Sequence, residues 1–224
     1  MDLLLGAVGG TRGVAFAPDA LVIAGWTGRD AAQVELHIAE LERIGVARPS
    51  TVPAFYRVGH SLLTSDARIQ VVGDDSSGEV EFVLFGSSEL LVGVGSDHTD
   101  RKLETVGVVQ SKQLCPKPVA TDVWRFADVE AHWDRLELHS FATRNGERRL
   151  YQAGSVSRML HPRELLHRFA ADGALAPGSV VFCGTLPVEG EISASDRFEI
   201  ELRDPVLGRS IKHQYRIEAL PVVR

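Results

Sequence analysis

The chain has 224 residues, of which 44% are hydrophobic and 24% charged, and its formal net charge at pH 7 is −6. That composition supports a buried core without disulfide or metal staples and excludes a disordered chain. The acidic balance argues against a nucleic-acid partner, and two cysteines, Cys115 and Cys183, with no C-x-x-C spacing argue against a disulfide scaffold.

The start, Met1 to Val8, is apolar but too short for a signal peptide and lacks a basic opening. No apolar run reaches the roughly 18 residues a membrane helix needs. The expectation is a cytoplasmic protein with no membrane partner, folded as one domain over residues 1–224.

Residues 1–28 read as an N-terminal β-hairpin extension, with Val14-Ala15-Phe16 and Leu21-Val22-Ile23-Ala24 flanking Pro18-Asp19. A helix over 30–45 follows. Asp30 is its N-cap with Gln33 three residues on, Val34, Ile38 and Leu41 form its apolar stripe, and Gly45 is its stop. Then strands dominate: Phe55 to Val58, Ile69 to Val72, Glu79 to Phe85 and Leu90 to Val94. A short helix is expected near Asp128 to Trp133. Asn145-Gly146 between Leu136 to Thr143 and Arg149 to Gln152 is a strong hairpin signal. A second full helix starts at Pro162 and is expected to end at Gly173. Ser179 to Cys183, Arg197 to Leu202 and Ile211 to Ala219 are the late strands. The fold class is β-rich α+β.

Five groups of residues carry possible chemistry. Glu79 and Glu81 alternate along a strand, so both carboxylates project to one face. Spacing alone leaves them open between a solvated strand end and a site for a hard divalent cation. Asp97 follows an apolar strand, as a turn residue or a third ligand. His37 and Glu40 are i,i+3 neighbours on the first helix, either a surface ion pair or a general base oriented by a carboxylate. Lys112 lies downstream of an apolar strand. Gly184-Thr185 ends a buried strand, as a tight turn or a place where a ligand approaches the backbone. The cysteines read as packing residues.

The order of these pieces resembles the fumarylacetoacetate hydrolase superfamily. The matching elements are His37/Glu40, Pro53-Ala54-Phe55-Tyr56-Arg57, Glu79/Glu81, Asp97-His98-Thr99, and Lys112 with Cys115-Pro116. They continue through Asn145-Gly146, Gly154 to Met159, and Pro177-Gly178-Ser179-Val180 to Gly184-Thr185. Departures mark a divergent branch. Arg57 stands where Lys is usual, and Val156 where Thr is usual. Thr99-Asp100-Arg101 and Gly184-Thr185-Leu186-Pro187 differ from the family pattern, and the Glu81 to Asp97 interval is short.

The resemblance implies a layered, mixed β-roll with a few short helices, and a homodimer. It implies one Mg²⁺, Mn²⁺ or Ca²⁺ held by Glu79, Glu81 and Asp97, acting as a Lewis acid on a 2-oxo acid substrate. Lys112 would support the enolate, and His37, oriented by Glu40 on a lid helix, would activate water. Arg57, Gly184 and Thr185 would bind substrate. The reaction implied first is hydrolysis of a C–C bond in an acylpyruvate. Decarboxylation, dehydration or lyase chemistry on the same metal site is the alternative, and a non-catalytic small-molecule binding protein is the reading from another class.

Overall fold

The computed structural model describes residues 1–7, 10–43 and 48–223, without the side chains of Ala7, His37 and Leu41. Its first strands are β1 (Asp2–Ala7), β2 (Gly10–Ala15) and β3 (Ala20–Gly25), followed by helix α1 (Ala31–Arg43). Asp30 caps α1, its Oδ1 accepting from the backbone N–H of Ala32 at 3.0 Å and Gln33 at 3.2 Å. The expected stop at Gly45 lies outside the described residues. Next come β4 (Ala54–Val58), β5 (Leu63–Thr64), β6 (Arg68–Val72), β7 (Ser76–Ser77), β8 (Val80–Gly86), β9 (Leu90–Ser96) and β10 (Thr99–Asp100). Two short helices, α2 (Arg101–Glu104) and α3 (Val108–Gln113), lead to β11 (Lys117–Pro118) and β12 (Asp122–Arg125). Helix α4 (Phe126–Val129) and a 3-10 turn over Glu130–Arg135 precede β13 (Glu137–Arg144) and β14 (Glu147–Ser155). The chain ends with α5 (Pro162–Phe169), β15 (Ser179–Thr185), β16 (Arg197–Asp204) and β17 (Arg209–Leu220).

Eight strands form one mixed sheet in the order β2-β1-β12-β9-β8-β15-β3-β4, and β14-β13-β16-β17-β6 form a second. Strand β8 explains why they pack. It is buried along its whole length, and alternation splits its side chains between two cores. Val80, Phe82 and Leu84 join Leu138, Phe198, Ile200, Leu202 and Tyr215 of the second sheet. Val83 and Phe85 join Leu3, Leu5, Leu21, Ile23, Val123 and Phe182, all from strands of the first sheet itself. That sheet therefore curls around one of its own faces, which makes it a roll, and the second sheet covers the other face. The β-rich roll with few short helices is the expected fold class.

Two local expectations are corrected. Residues 14–24 are not a hairpin. Strand β2 pairs with β1, while β3 lies between β15, parallel, and β4, antiparallel. Leu21, Val22 and Ile23 are all buried, so this segment is used up inside the sheet and cannot fold back on β2 alone. Helix α5 ends at Phe169, not Gly173, because Ala170 turns extended while its N–H still bonds the Leu166 carbonyl. Asn145 and Gly146 both have positive φ, at 53° and 83°, as a tight hairpin between β13 and β14 requires.

Candidate metal centre

The β8–β9 ladder builds the centre. Val80 pairs with Ser96 and Glu81 with Gly95. One step further, the N–H of Asp97 donates to the Glu79 carbonyl at 3.0 Å. Glu79, Glu81 and Asp97 thus share the face that carries Val83 and Phe85. One carboxylate oxygen from each lies within 4.8 Å of the others. Glu81 and Asp97 are buried, while Glu79 is partly exposed.

Three cations pair with two of these carboxylates, Asp97 and Glu79. Lys112 Nζ lies 2.5 Å from Asp97 Oδ2, Lys117 Nζ 2.9 Å from Asp97 Oδ1, and Arg101 Nη2 3.1 Å from Glu79 Oε1. Burial alone would raise the Asp97 pKa, but the two ammonium groups outweigh it and hold the carboxyl well below the usual range. Burial also works against Lys112, yet Asp97, Glu79 and Glu104 keep its pKa above the ordinary lysine value. Lys117 is fully buried, and there burial wins, lowering its pKa. Burial, then the charges of Asp97 and Glu79, push the Glu81 carboxyl well above the usual range.

The donor set fits a hard divalent cation. All three ligand atoms are oxygens. Asp97 Oδ1 is buried, and its contact with the Lys117 ammonium at 2.9 Å is not a well-aligned hydrogen bond, so the oxygen keeps capacity for an ion. An ion there would also relieve the mutual repulsion that acts on Glu81.

Strand β15 supplies the fourth side. Its pairing with β8 shifts register between Phe182 and Thr185, with Gly184 at φ +99°. The bulge turns the Gly184 N–H out of the ladder, and it donates to Glu81 Oε2 at 2.7 Å. Thr185 Oγ1 donates to the Val80 carbonyl at 2.8 Å. Beneath them, buried Gln152 accepts from the Val80 N–H at 2.9 Å and donates to Thr185 Oγ1 at 2.7 Å. Thr27, just after β3, donates to the Cys183 carbonyl at 2.9 Å. Strands β8, β14 and β15 and the segment after β3 are thereby tied together around Glu81.

The chain matches, over residues 24–215, the family model described as "Protein of unknown function (DUF2848)". It belongs to the DUF2848 family. None of the curated proteins compared with it matches in sequence. Solved structures share its fold. Cg1458 with inhibitor is 20% identical, with a TM-score of 0.67 over 94% of this chain and 81% of that one. Yeast ynq8, a fumarylacetoacetate hydrolase family protein, is 16% identical, with a TM-score of 0.63 over 92% and 95%. A 2-keto-3-deoxy-D-arabinonate dehydratase complexed with magnesium and 2,5-dioxopentanoate is 14% identical, with a TM-score of 0.62 over 96% and 79%. The DUF2848 chain thus has the fold of the fumarylacetoacetate hydrolase superfamily.

The other expected site residues fall as follows in this DUF2848 protein. Gly184 and Thr185 reach the triad. Lys112 also reaches it, from the last turn of α3. Arg57 does not. It is exposed on β4 and pairs with Val22, so alternation sends it to the face opposite Glu81, while its neighbour Tyr56 packs on the triad's side. Glu40 is exposed on α1, and the side chain of His37 lies outside the described residues. Four residues at the centre were not read as site residues in the sequence: Thr27, Arg101, Lys117 and Gln152. Lys117-Pro118 between Cys115-Pro116 and an apolar run is the one visible hint, since a lysine there must be buried.

Proposed function

We propose that this protein is a divalent-metal-dependent enzyme that cleaves a C–C bond next to a 2-oxo acid, in the manner of an acylpyruvate hydrolase. One observation carries the reading: three carboxylate oxygens gather within 4.8 Å at a strand end, beside the Lys112 ammonium. Glu79, Glu81 and Asp97 would hold Mg²⁺, or Mn²⁺ or Ca²⁺ in its place. Such an ion, when bound, supplies Lewis-acid polarisation of the 2-oxo carbonyl. Because three cations already pair with two of the three carboxylates, a divalent ion brings excess positive charge, and an anionic 2-oxo carboxylate offsets it.

Lys112 stays protonated, and its ammonium donates to the oxygen that gains charge as the neighbouring bond breaks. The Gly184 N–H holds Glu81 in place. His37, with Glu40 one turn on in α1, would take the proton of the attacking water. With water excluded, the same residues would serve decarboxylation or dehydration.

The test is a screen of acylpyruvates, oxaloacetate and sugar-derived 2-oxo-3-deoxy acids, with and without EDTA, followed by product analysis. Chelation is expected to abolish turnover and added Mg²⁺ or Mn²⁺ to restore it. Glu79→Gln and Lys112→Ala are each expected to lower kcat/KM by about 100-fold or more. Turnover indifferent to EDTA and to both substitutions overturns the reading.

A further inference from the structure

Among the described residues, Asp97 is the one carboxylate of the triad that faces a cation at each oxygen, Lys112 at Oδ2 and Lys117 at Oδ1. The two lysines are not equivalent. Lys112 stands in the last turn of α3 with 8% of its side chain exposed, whereas Lys117 has no exposed surface. Lys117 therefore acts on Asp97 and not on a bound molecule.

Lys117 is also held so that it cannot withdraw. It lies in β11 between Pro116 and Pro118, whose rings fix φ on both sides of it, and it pairs with Leu63 of β5. The next two residues fasten the segment to its neighbours. The Val119 N–H donates to the Thr64 carbonyl at 2.8 Å, and the Ala120 N–H to the Val94 carbonyl of β9 at 2.9 Å. At the tip of the side chain, Nζ donates to the His98 carbonyl at 2.5 Å. His98 is clamped in turn, its imidazole bridging Ser76 Oγ and the Tyr215 hydroxyl at 3.0 Å each. Arg101 differs, because Glu104 at 2.9 Å retains it when an ion takes Glu79. Asp97 is the one carboxylate partner of Lys117 among the described residues, and a buried ammonium leaves such a partner only at a large desolvation cost.

An ion bound by Asp97 must therefore share that carboxylate with a fixed positive charge. We infer that Lys117 is a positioning residue for Asp97 that sets how tightly the centre holds its ion: it stands in for the metal's charge in the ion-free protein and weakens metal binding by repulsion. The inference rests on the metal site of the function proposed above and assigns part of its affinity to a residue outside the ligand set. Removing the charge leaves Asp97 paired with Lys112 and takes away the repulsion, so affinity for a divalent cation rises while the ion-free centre loses a support.

The test is titration of the ion-free full chain with Mn²⁺ at pH 7 by calorimetry, with thermal melts beside it, for the wild type, Lys117→Gln and Lys117→Met. Both substitutions remove the charge, and the glutamine keeps a donor for the His98 carbonyl. Each variant is expected to bind Mn²⁺ about tenfold tighter than the wild type or more. Each should melt below the wild type without the ion, and Mn²⁺ should raise its Tm by more than it raises that of the wild type, as a cation restores the charge that was removed. A lysine with a structural role alone would lower stability and leave the affinity unchanged or weaker. Equal or weaker Mn²⁺ binding by both variants overturns the inference while the metal reading stands, and so does failure of both to fold with Mn²⁺ present. Absence of Mn²⁺ binding by the wild type and by both variants overturns the two together.

Discussion

The backbone N–H of Gly184 points at Glu81 Oε2 from 2.7 Å, and no other residue type fits at position 184. Its φ is +99°, and an added Cβ would stand 1.8 Å from Thr27 Oγ1. Gly184→Ala should therefore lower unfolding free energy by about 2–4 kcal/mol, from backbone strain and the clash together. Removing the obstructing oxygen with Thr27→Ala should recover part of that loss in the double variant. Denaturant midpoints of the four proteins of the cycle decide it; strict additivity would show that the two residues do not meet.

Glu81→Gln separates stability from ion binding. The buried Glu81 carboxylate repels Asp97 and Glu79, while a glutamine keeps an acceptor for the Gly184 N–H without the charge. The ion-free variant should be at least as stable as the wild-type protein near pH 8. Millimolar Mg²⁺ or Mn²⁺ should raise the wild-type Tm and leave that of the variant unchanged. An equal rise in both would remove Glu81 from the ligand set.

Gln152 is the hidden tie beneath the centre. It is fully buried, and its amide accepts from Val80 N–H and Ser140 Oγ and donates to Thr185 Oγ1 and the Leu186 carbonyl. Gln152→Leu strands these partners and should cost about 3 kcal/mol, with weaker Mg²⁺ stabilisation because the Val80–Thr185 contact next to Glu81 loosens. A denaturant series with and without Mg²⁺ reads both effects. A loss below about 1 kcal/mol would mean that the network rearranges around the leucine.

What could be read in the sequence was whatever depends on local period and order. Glu79 and Glu81 were legible because strand alternation puts i and i+2 on one face, and Asn145-Gly146 because a tight hairpin demands positive φ at both positions. The partners of Asp97 were not. Lys117 reaches Asp97 only because β11 is threaded beside β9 through the Gly95–Val119 bridge, and no periodicity encodes that approach. The direction of Arg57 was equally illegible, because which way a strand residue points depends on register, and pairing with Val22 sets it on the face opposite Glu81. The run Leu21 to Ala24 is apolar at every position, so it carried no alternation to tell an edge hairpin from an interior strand.

Away from the centre, Asp204 anchors the turn between β16 and β17. Asp204 is fully buried. Its Oδ1 accepts from the N–H groups of Val206 and Leu207 at 3.1 Å each and from His132 Nε2 at 3.1 Å, and its Oδ2 accepts from Arg209 Nε at 3.2 Å. Burial alone would raise the pKa of this carboxyl, but the Leu207 N–H, His132 and Arg209 outweigh it, so the folded-state value is depressed. A depressed carboxyl pKa means that the unfolded chain takes up the proton first. The stabilisation is therefore complete above the unfolded value of about 3.9 and is lost as pH falls through the lower folded value. Asp204→Asn should cost about 1–3 kcal/mol at pH 7. The gap between wild type and variant should narrow as pH drops below about 4, because the wild type then loses what the variant never had. Urea midpoints at pH 7, 5, 3.5 and 2.5 test this, and a gap that stays constant down to pH 2.5 would show that the turn is held by the shape of the Asp204 side chain and not by its charge.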